Sequence, residues 1–200
     1  MSTRVIIFAK APQPGRVKTR LIPALGAEGA ARLAREMLQR TLSAAVDAAC
    51  GPVELCMDPA PDDAAWSDIP IPTGVGRSAQ GAGDLGDRML RAATRTLAGG
   101  EHVVLIGTDC VEMSADLLRE ACALLHTADA VMYPTSDGGY ALLGLKRCAA
   151  ALFAGIAWST PSVAAQTRAR FAESRWSLRE GARLNDVDEP ADLTFWRVHD

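Results

Sequence analysis

Between Phe8 and Leu21 the chain reads Phe-Ala-Lys-Ala-Pro-Gln-Pro-Gly-Arg-Val-Lys-Thr-Arg-Leu. Four cations, Lys10, Arg16, Lys18 and Arg20, follow directly on an apolar run, Val5-Ile6-Ile7-Phe8. The chain carries 21 Lys and Arg residues, yet only Lys10, Lys18 and Lys146 are lysines, and this loop holds two of them. Lysine is a compact point charge on a flexible stem, whereas arginine is a planar fork. A buried strand that opens into a tight basic loop is suited to holding phosphates. A helix beginning near Val17–Leu21 would add backbone amides and a dipole to the side-chain charge. The other reading is a solvated turn. Against it, Arg16, Lys18 and Arg20 at every second position repel one another unless an anion joins them. The loop matches neither G-x-x-x-x-G-K-[ST], although Lys18-Thr19 resembles its end, nor G-x-G-x-x-G.

The candidate carboxylates lie far along the chain. Asp109 follows an apolar run and a glycine, and at that depth a carboxylate is costly unless paired, hydrogen-bonded or metal-bound. It also suits a turn or a helix cap. Asp186 and Asp188 precede a helix near the end and offer a second carboxylate. One or two carboxylates together with substrate phosphates are the usual ligands of Mg²⁺, although Asp188 could equally cap the helix that Pro190 begins. Asp137-Gly138-Gly139-Tyr140 places an acid in a turn beside an aromatic ring, or is simply a hairpin. Trp158-Ser159-Thr160 offers a stacking surface, or a tryptophan that closes the core. His102, His126 and His199 match no metal or triad spacing. No G-x-S-x-G occurs and Cys110 lacks a neighbouring base, which argues against nucleophilic catalysis.

These residues need a scaffold. Strands are expected at Arg4–Ala9, Val53–Met57, His102–Ile106, Asp129–Tyr133 and Tyr140–Leu145, the last antiparallel to a neighbour, with a weak edge strand at Ile69–Val75. Amphipathic periodicity predicts helices from about Glu28 to Ala49, which Gly51-Pro52 ends, and over Asp84–Leu97, with Leu85, Met89, Leu90, Ala93 and Leu97 inward. Further helices are expected over Ala115–His126 behind the cap Ser114, over Pro161–Phe171 and from Pro190. Gly76–Gly86 reads as a glycine-rich loop and Leu178–Leu184 as irregular. Alternating strands and helices define an α/β domain with a mostly parallel sheet, and ligands of such sheets bind beyond the carboxyl ends of the strands. The basic loop, Gly107–Cys110 and Ser136–Gly139 all fall there.

Composition sets outer bounds. Two hundred residues fit one domain. The net charge of −3 argues against a general nucleic-acid binder. Five cysteines without C-x-x-C spacing suggest packing thiols in a reducing compartment. The apolar run after Arg4 is too short for a signal peptide, and no run approaches the ~20 residues of a membrane span. A cytoplasmic protein with no membrane partner is expected.

Several motifs together resemble one bacterial family of uncharacterised GT-A-type proteins, of the arsenosugar-biosynthesis or nucleotide-diphospho-sugar transferase type. They are Phe8-Ala9-Lys10-Ala11-Pro12-x-Pro14-Gly15-x-Val17-Lys18-Thr19-Arg20-Leu21, Gln80-Gly81-x-Gly83-Asp84-Leu85-Gly86-x-Arg88-Met89, Gly107-Thr108-Asp109-Cys110, Asp137-Gly138-Gly139-Tyr140, Trp158-Ser159-Thr160 and Asp186-Val187-Asp188-x-Pro190-x-Asp192-Leu193. They span the chain in order. Lys18-Thr19-Arg20-Leu21, Asp109 and Asp188 are more distantly similar to phospholactate guanylyltransferases and other sugar-phosphate nucleotidyltransferases. The resemblance implies a GT-A fold, a Rossmann-like three-layer α/β/α sandwich. It implies that Asp109 and Asp188 share Mg²⁺ or Mn²⁺. Ala9, Lys10, Gly15, Arg16, Lys18, Thr19, Arg20, Gln80, Gly81, Gly83 and Gly86 would line the nucleotide. Asp137, Gly138, Gly139, Tyr140, Trp158, Ser159 and Thr160 would face the acceptor or sugar. Two positions depart from the pattern: Val111 stands where proline is expected, and Ala141 where a second aromatic is common.

Two enzymatic readings share this site. In a glycosyltransferase, Lys18, Arg20 and the metal neutralise a leaving nucleoside diphosphate, with Asp137 as general base if the reaction inverts. In a nucleotidyltransferase, a phosphate or hydroxyl acceptor attacks a nucleoside triphosphate and pyrophosphate leaves. The dense charge of Arg16, Lys18 and Arg20 suits a triphosphate, while the resemblance favours the sugar transferase, which ranks first. A nucleotide-binding module without catalysis is the third reading. Partners are therefore a nucleotide or nucleotide-sugar and a small-molecule acceptor.

Overall fold

Strand β1 (Thr3–Lys10) is apolar on both faces, as a central strand must be. Val5, Ile7 and Ala9 enter one hydrophobic cluster and Ile6 enters another, with Phe8 packed against it. The computed structural model describes residues 2–199, with side chains as far as Trp196. The other strands are β2 (Val53–Asp58), β3 (Gly76–Ala79), β4 (His102–Ile106), β5 (Ala130–Pro134), β6 (Tyr140–Leu145) and β7 (Leu178–Glu180). They form one seven-stranded sheet in the order β3-β2-β1-β4-β6-β5-β7. Only β6 runs antiparallel, pairing with β4 on one side and β5 on the other.

The helices are α1 (Ile22–Ala48), α2 (Leu85–Ala98), α3 (Ala115–Thr127), α4 (Val163–Glu173) and α5 (Leu193–His199). Leu38, Leu42 and Ala45 of α1 and Leu118, Ala121 and Leu125 of α3 bury one face of the sheet. Met89, Ala92 and Ala93 of α2 and Ala164 and Phe171 of α4 bury the other. The result is the expected α/β/α sandwich with a mostly parallel sheet. A third, smaller cluster of Leu21, Ala30, Leu33, Met37 and Val187 lies beside the carboxyl edge of the sheet. Among the described residues no helix is long and apolar enough to cross a membrane.

Several local expectations need correction. No strand forms at Ile69–Val75; the edge strand is Gly76–Ala79, within the segment read as a loop, in parallel register with Glu54–Met57. Prolines at 70 and 72 withhold the amides a ladder needs. Leu178–Glu180 is a short strand rather than irregular, paired with Ala130–Met132. Leu85 is 43% exposed, because Asp84 caps α2 there and the buried stripe runs through Gly86, Met89, Ala92, Ala93 and Thr96. Helix α1 starts at Ile22, six residues before the expected Glu28, and breaks at Gly26 (φ 70°), while its end, with Ala49 in left-handed conformation, falls where expected. The His199 side chain lies outside the described residues.

Candidate functional site

The sheet's carboxyl edge collects the chain's acidic and basic motifs through two stitched loops. Cys110 and Asp186 form an isolated antiparallel bridge, and the Val187 amide donates to the Asp109 carbonyl at 2.9 Å. Asp109 and Asp188 thereby stand side by side, although 79 residues of chain separate them. Glu112 clamps the same loops: its carboxylate accepts from the Asn185 amide at 3.1 Å and from Asn185 Nδ2 at 2.8 Å. Burial alone would raise the Glu112 pKa, but these bonds outweigh it and hold the group below its ordinary value. Asp192 closes the far side, accepting from the Asp188 amide at 3.1 Å and the Glu189 amide at 2.8 Å. Val187 lies between the two late aspartates, fully buried with Leu21 in the small cluster, and Val111 packs against it. The valine at 111 therefore supports the floor of the site.

The basic loop enters this frame in a way the sequence does not suggest. Lys18 ends the loop in left-handed conformation (φ 46°, ψ 41°), and a single 3-10 turn, Thr19–Leu21, leads into α1. The helix thus starts close to its expected place. The Lys18 ammonium points into protein. It donates to the Val187 carbonyl at 2.6 Å, to Asp188 Oδ1 at 3.0 Å, and to Asp109 Oδ1. Its three N–H donors thus meet three acceptors. The side chain is 6% exposed, whereas each partner carboxylate is 46% exposed. Burial alone would lower the Lys18 pKa; Asp109 and Asp188 outweigh it and raise it. Asp186, behind them, is pushed up to about 8 by burial first and then by Asp109, Asp137 and Asp188. Arg20 reaches Glu189 at 3.6 Å, an exposed pair, and Lys10, Arg16 and Thr19 are exposed. Gly15 turns the loop at φ 74°.

The second motif expected to line a nucleotide joins at Ala9. Gln80 is buried, and its Nε2 donates to the Ala9 and Cys56 carbonyls at 3.1 Å each. Its Oε1 accepts from Arg88 at 2.9 Å, and Arg88 also pairs with Asp58 at 3.0 Å. Gln80 is therefore a strut between the ends of β1 and β2, with its amide committed to protein. Gly81 and Gly83 follow at positive φ, and the loop is held by Arg91, which donates to the Gln80 and Ala82 carbonyls.

The motifs expected to face an acceptor line the same edge. Asp137 is exposed, and it accepts from Thr135 Oγ1 and from the Gly139 amide at 3.0 Å. Tyr140, Trp158 and Phe8 are partly buried against the second cluster. The Trp158 indole lies on Gly86, where an added Cβ would meet it at 2.8 Å. Trp158 thus closes the core around α2 as well as bordering the edge. Ser159 is left-handed (φ 61°), and Thr160 donates to the Ala157 carbonyl at 2.7 Å. Ala141 is buried in the core.

Among the described residues no three His, Cys, Asp or Glu side chains are arranged as a ready metal cage. The donor set still fits a hard cation. Two half-exposed carboxylates converge on one point, and a positive charge, the Lys18 ammonium, already stands there. Two carboxylates leave room for substrate phosphates in the coordination shell, as Mg²⁺ and Mn²⁺ sites require. Sequence reasoning named Lys18, Asp109 and Asp188 but missed Glu112 as the clamp. Its only signal was position, three residues beyond Asp109.

This fold is that of nucleotide-diphospho-sugar transferases and nucleotidyltransferases. A candidate nucleotide-diphospho-sugar transferase from Desulfovibrio desulfuricans G20 is 31% identical, with TM-score 0.89 over 100% of this chain and 89% of that one. Rv0371c from Mycobacterium tuberculosis H37Rv, solved in complex with manganese, is 16% identical, with TM-score 0.59 over 98% and 97% of the two chains. CMP:2-keto-3-deoxy-manno-octonic acid synthetase, solved with CTP, is 12% identical, with TM-score 0.60 over 99% and 98%. A comparison with curated proteins gave no match. Residues 41–160 match the family DUF2064, described as an uncharacterized protein conserved in bacteria, and the chain belongs to that family.

Proposed function

We propose that this protein is a cytoplasmic, divalent-metal-dependent glycosyltransferase that takes a nucleotide-diphospho-sugar donor and a small-molecule acceptor. One observation carries the reading: Asp109, Asp188 and Lys18 converge at the carboxyl edge of β1 and β4. Charge supports metal dependence. The cations Lys18 and Arg20 already face Asp109, Asp188 and Glu189, so the pocket has no positive excess with which to hold an anionic nucleotide unaided. That same balance weakens the sequence argument for a triphosphate.

A cation held by Asp109 and Asp188 would neutralise charge developing on the leaving diphosphate. Arg16 and Arg20, both exposed, reach toward the distal phosphate. Gln80 fixes the ends of β1 and β2 that border the nucleotide. Asp137, oriented by Thr135 and Gly139, is the group placed to take a proton from an acceptor hydroxyl. Tyr140 and Trp158 give the sugar an apolar face.

Nucleotidyl transfer is the second reading, favoured by the exposed Arg16, a cation beyond the pairs that Lys18 and Arg20 make and one that a third phosphate would use. The test incubates the protein with Mg²⁺ or Mn²⁺, each nucleoside triphosphate and a panel of sugar nucleotides, and follows two products separately. Release of nucleoside diphosphate supports the proposal. Release of pyrophosphate replaces it with the second reading, and binding without either product leaves a non-catalytic nucleotide-binding module.

A further inference from the structure

The point at which Asp109 and Asp188 converge is filled by the protein itself. Lys18 Nζ holds one oxygen of each carboxylate and the Val187 carbonyl, and the lysine is far more buried than the acids it joins. Its backbone is left-handed, a conformation disfavoured for any residue with a Cβ. Two cations cannot share that point without strong repulsion. The two carboxylates that hold the ammonium are each 46% exposed, so a cation from solvent can reach them where the lysine stands.

We propose that Lys18 is a built-in occupant of the cation site: its ammonium closes the Asp109–Asp188 pair in the empty protein, and a divalent cation enters only by displacing it. The freed ammonium then becomes a ligand for the phosphates of the incoming nucleotide. The entry of a divalent cation and this last step both rest on the function proposed above. The free cation therefore binds weakly, and cation and nucleotide bind together far more tightly than either alone, because the nucleotide supplies the displaced ammonium with a new partner. Lysine rather than arginine suits this post: a compact charge on a mobile stem can substitute for a metal ion and then leave, where a planar fork would grip both carboxylates.

The experiment uses the intact wild-type chain. Amine labelling by reductive methylation, read by peptide mass spectrometry, has three side-chain amines to report, Lys10, Lys18 and Lys146, and the α-amine is read in its own peptide. Exposed Lys10 is the internal standard. Without metal, Lys18 is expected to label about tenfold or more slowly than Lys10, since a buried ammonium reacts only through local opening. Saturating Mn²⁺, its binding followed by electron paramagnetic resonance, should raise Lys18 labelling severalfold and leave Lys10 unchanged. Adding each common nucleoside diphosphate with Mn²⁺ should protect Lys18 again. Labelling of Lys18 that is fast from the start, or unchanged when Mn²⁺ is bound, overturns the proposal, as does failure of Mn²⁺ to bind at all. Exposure by Mn²⁺ without renewed protection by any nucleotide supports the displacement while counting against the nucleotide reading. Lys18→Met, which keeps the apolar stem, should bind Mn²⁺ about tenfold more tightly than wild type. Its melting temperature should rise with Mn²⁺ more than that of the wild type.

Discussion

Glu112 and Asn185 hold each other by two hydrogen bonds across 73 residues of chain, one from the Asn185 backbone and one from its side chain. This clamp sets how far apart the loops bearing Asp109 and Asp188 can stand. Partners of this kind behind a cation site are worth about 10–100-fold in metal affinity. Glu112→Gln keeps the shape but turns one of the two accepting oxygens into an NH₂ group that cannot accept, so the charge and one of the two bonds are lost and Mn²⁺ affinity should fall about tenfold. Asn185→Ala keeps the backbone bond and loses only the side-chain one, and should cost a similar amount because it leaves the Glu112 carboxylate short of a donor. Mn²⁺ titration of the two variants checks this, and unchanged affinity would mean that the bridge between Cys110 and Asp186 alone sets the spacing.

Asp109→Asn tests the site itself. The amide can still accept from Lys18, so folding should survive, but the charge proposed to hold a cation is gone. Loss of a preorganised charge-stabilising group costs on the order of 10²–10³ in rate. The measurement is nucleoside diphosphate release under saturating metal. Near-wild-type release would remove Asp109 from the site.

Much of this arrangement was legible in the sequence, because strand ends and charged motifs follow local rules. Strands β1, β4 and β6, the antiparallel course of β6, and the cap at Ser114 all follow from short-range pattern. What was not legible depends on contacts between distant segments. Gly76–Ala79 is a strand only because the edge of β2 offers it a ladder, and its composition reads as a loop. Lys18 was expected to face phosphate, and its turn inward toward Asp109 and Asp188 could not be read from charge spacing along one segment. Leu85 breaks the buried stripe because the cap at Asp84 fixes the phase of α2.

Gly138 shows how tightly the turn from Asp137 to Tyr140 is built. It has φ 91°, and a Cβ there would lie 2.1 Å from the Pro161 carbonyl oxygen. Its own carbonyl accepts from the Ala164 amide at 2.9 Å, tying the turn to the start of α4. Gly138→Ala must therefore both strain its backbone and push Pro161 away, at about 3 kcal/mol by the usual scale of such defects. Chemical denaturation should report that loss. Destabilisation below about 1 kcal/mol would show that the turn can relax around a methyl group.

Asp129 gives a stability effect with a defined pH sense, far from the site. Its Oδ2 accepts from the Ser177 amide and hydroxyl, each at 2.8 Å, and pairs with Arg147 at 3.0 Å, fastening the entry of β7 to β5. The Ser177 amide, then its hydroxyl, hold the Asp129 carboxyl below its ordinary 3.8, with Arg147 adding to the effect. A carboxylate whose folded pKa is depressed stabilises the fold fully above the unfolded value and loses that contribution as pH falls through the folded one. Asp129→Asn should thus cost about 1 kcal/mol at neutral pH, a modest figure because the group is partly open to solvent. Wild type and variant should begin to converge as pH drops below about 4, the unfolded value, and close the gap as it falls through the depressed folded one. Urea unfolding at pH 7 and at pH 3 checks both arms, and a difference that persists undiminished at pH 3 would assign the effect to hydrogen-bond geometry rather than to charge.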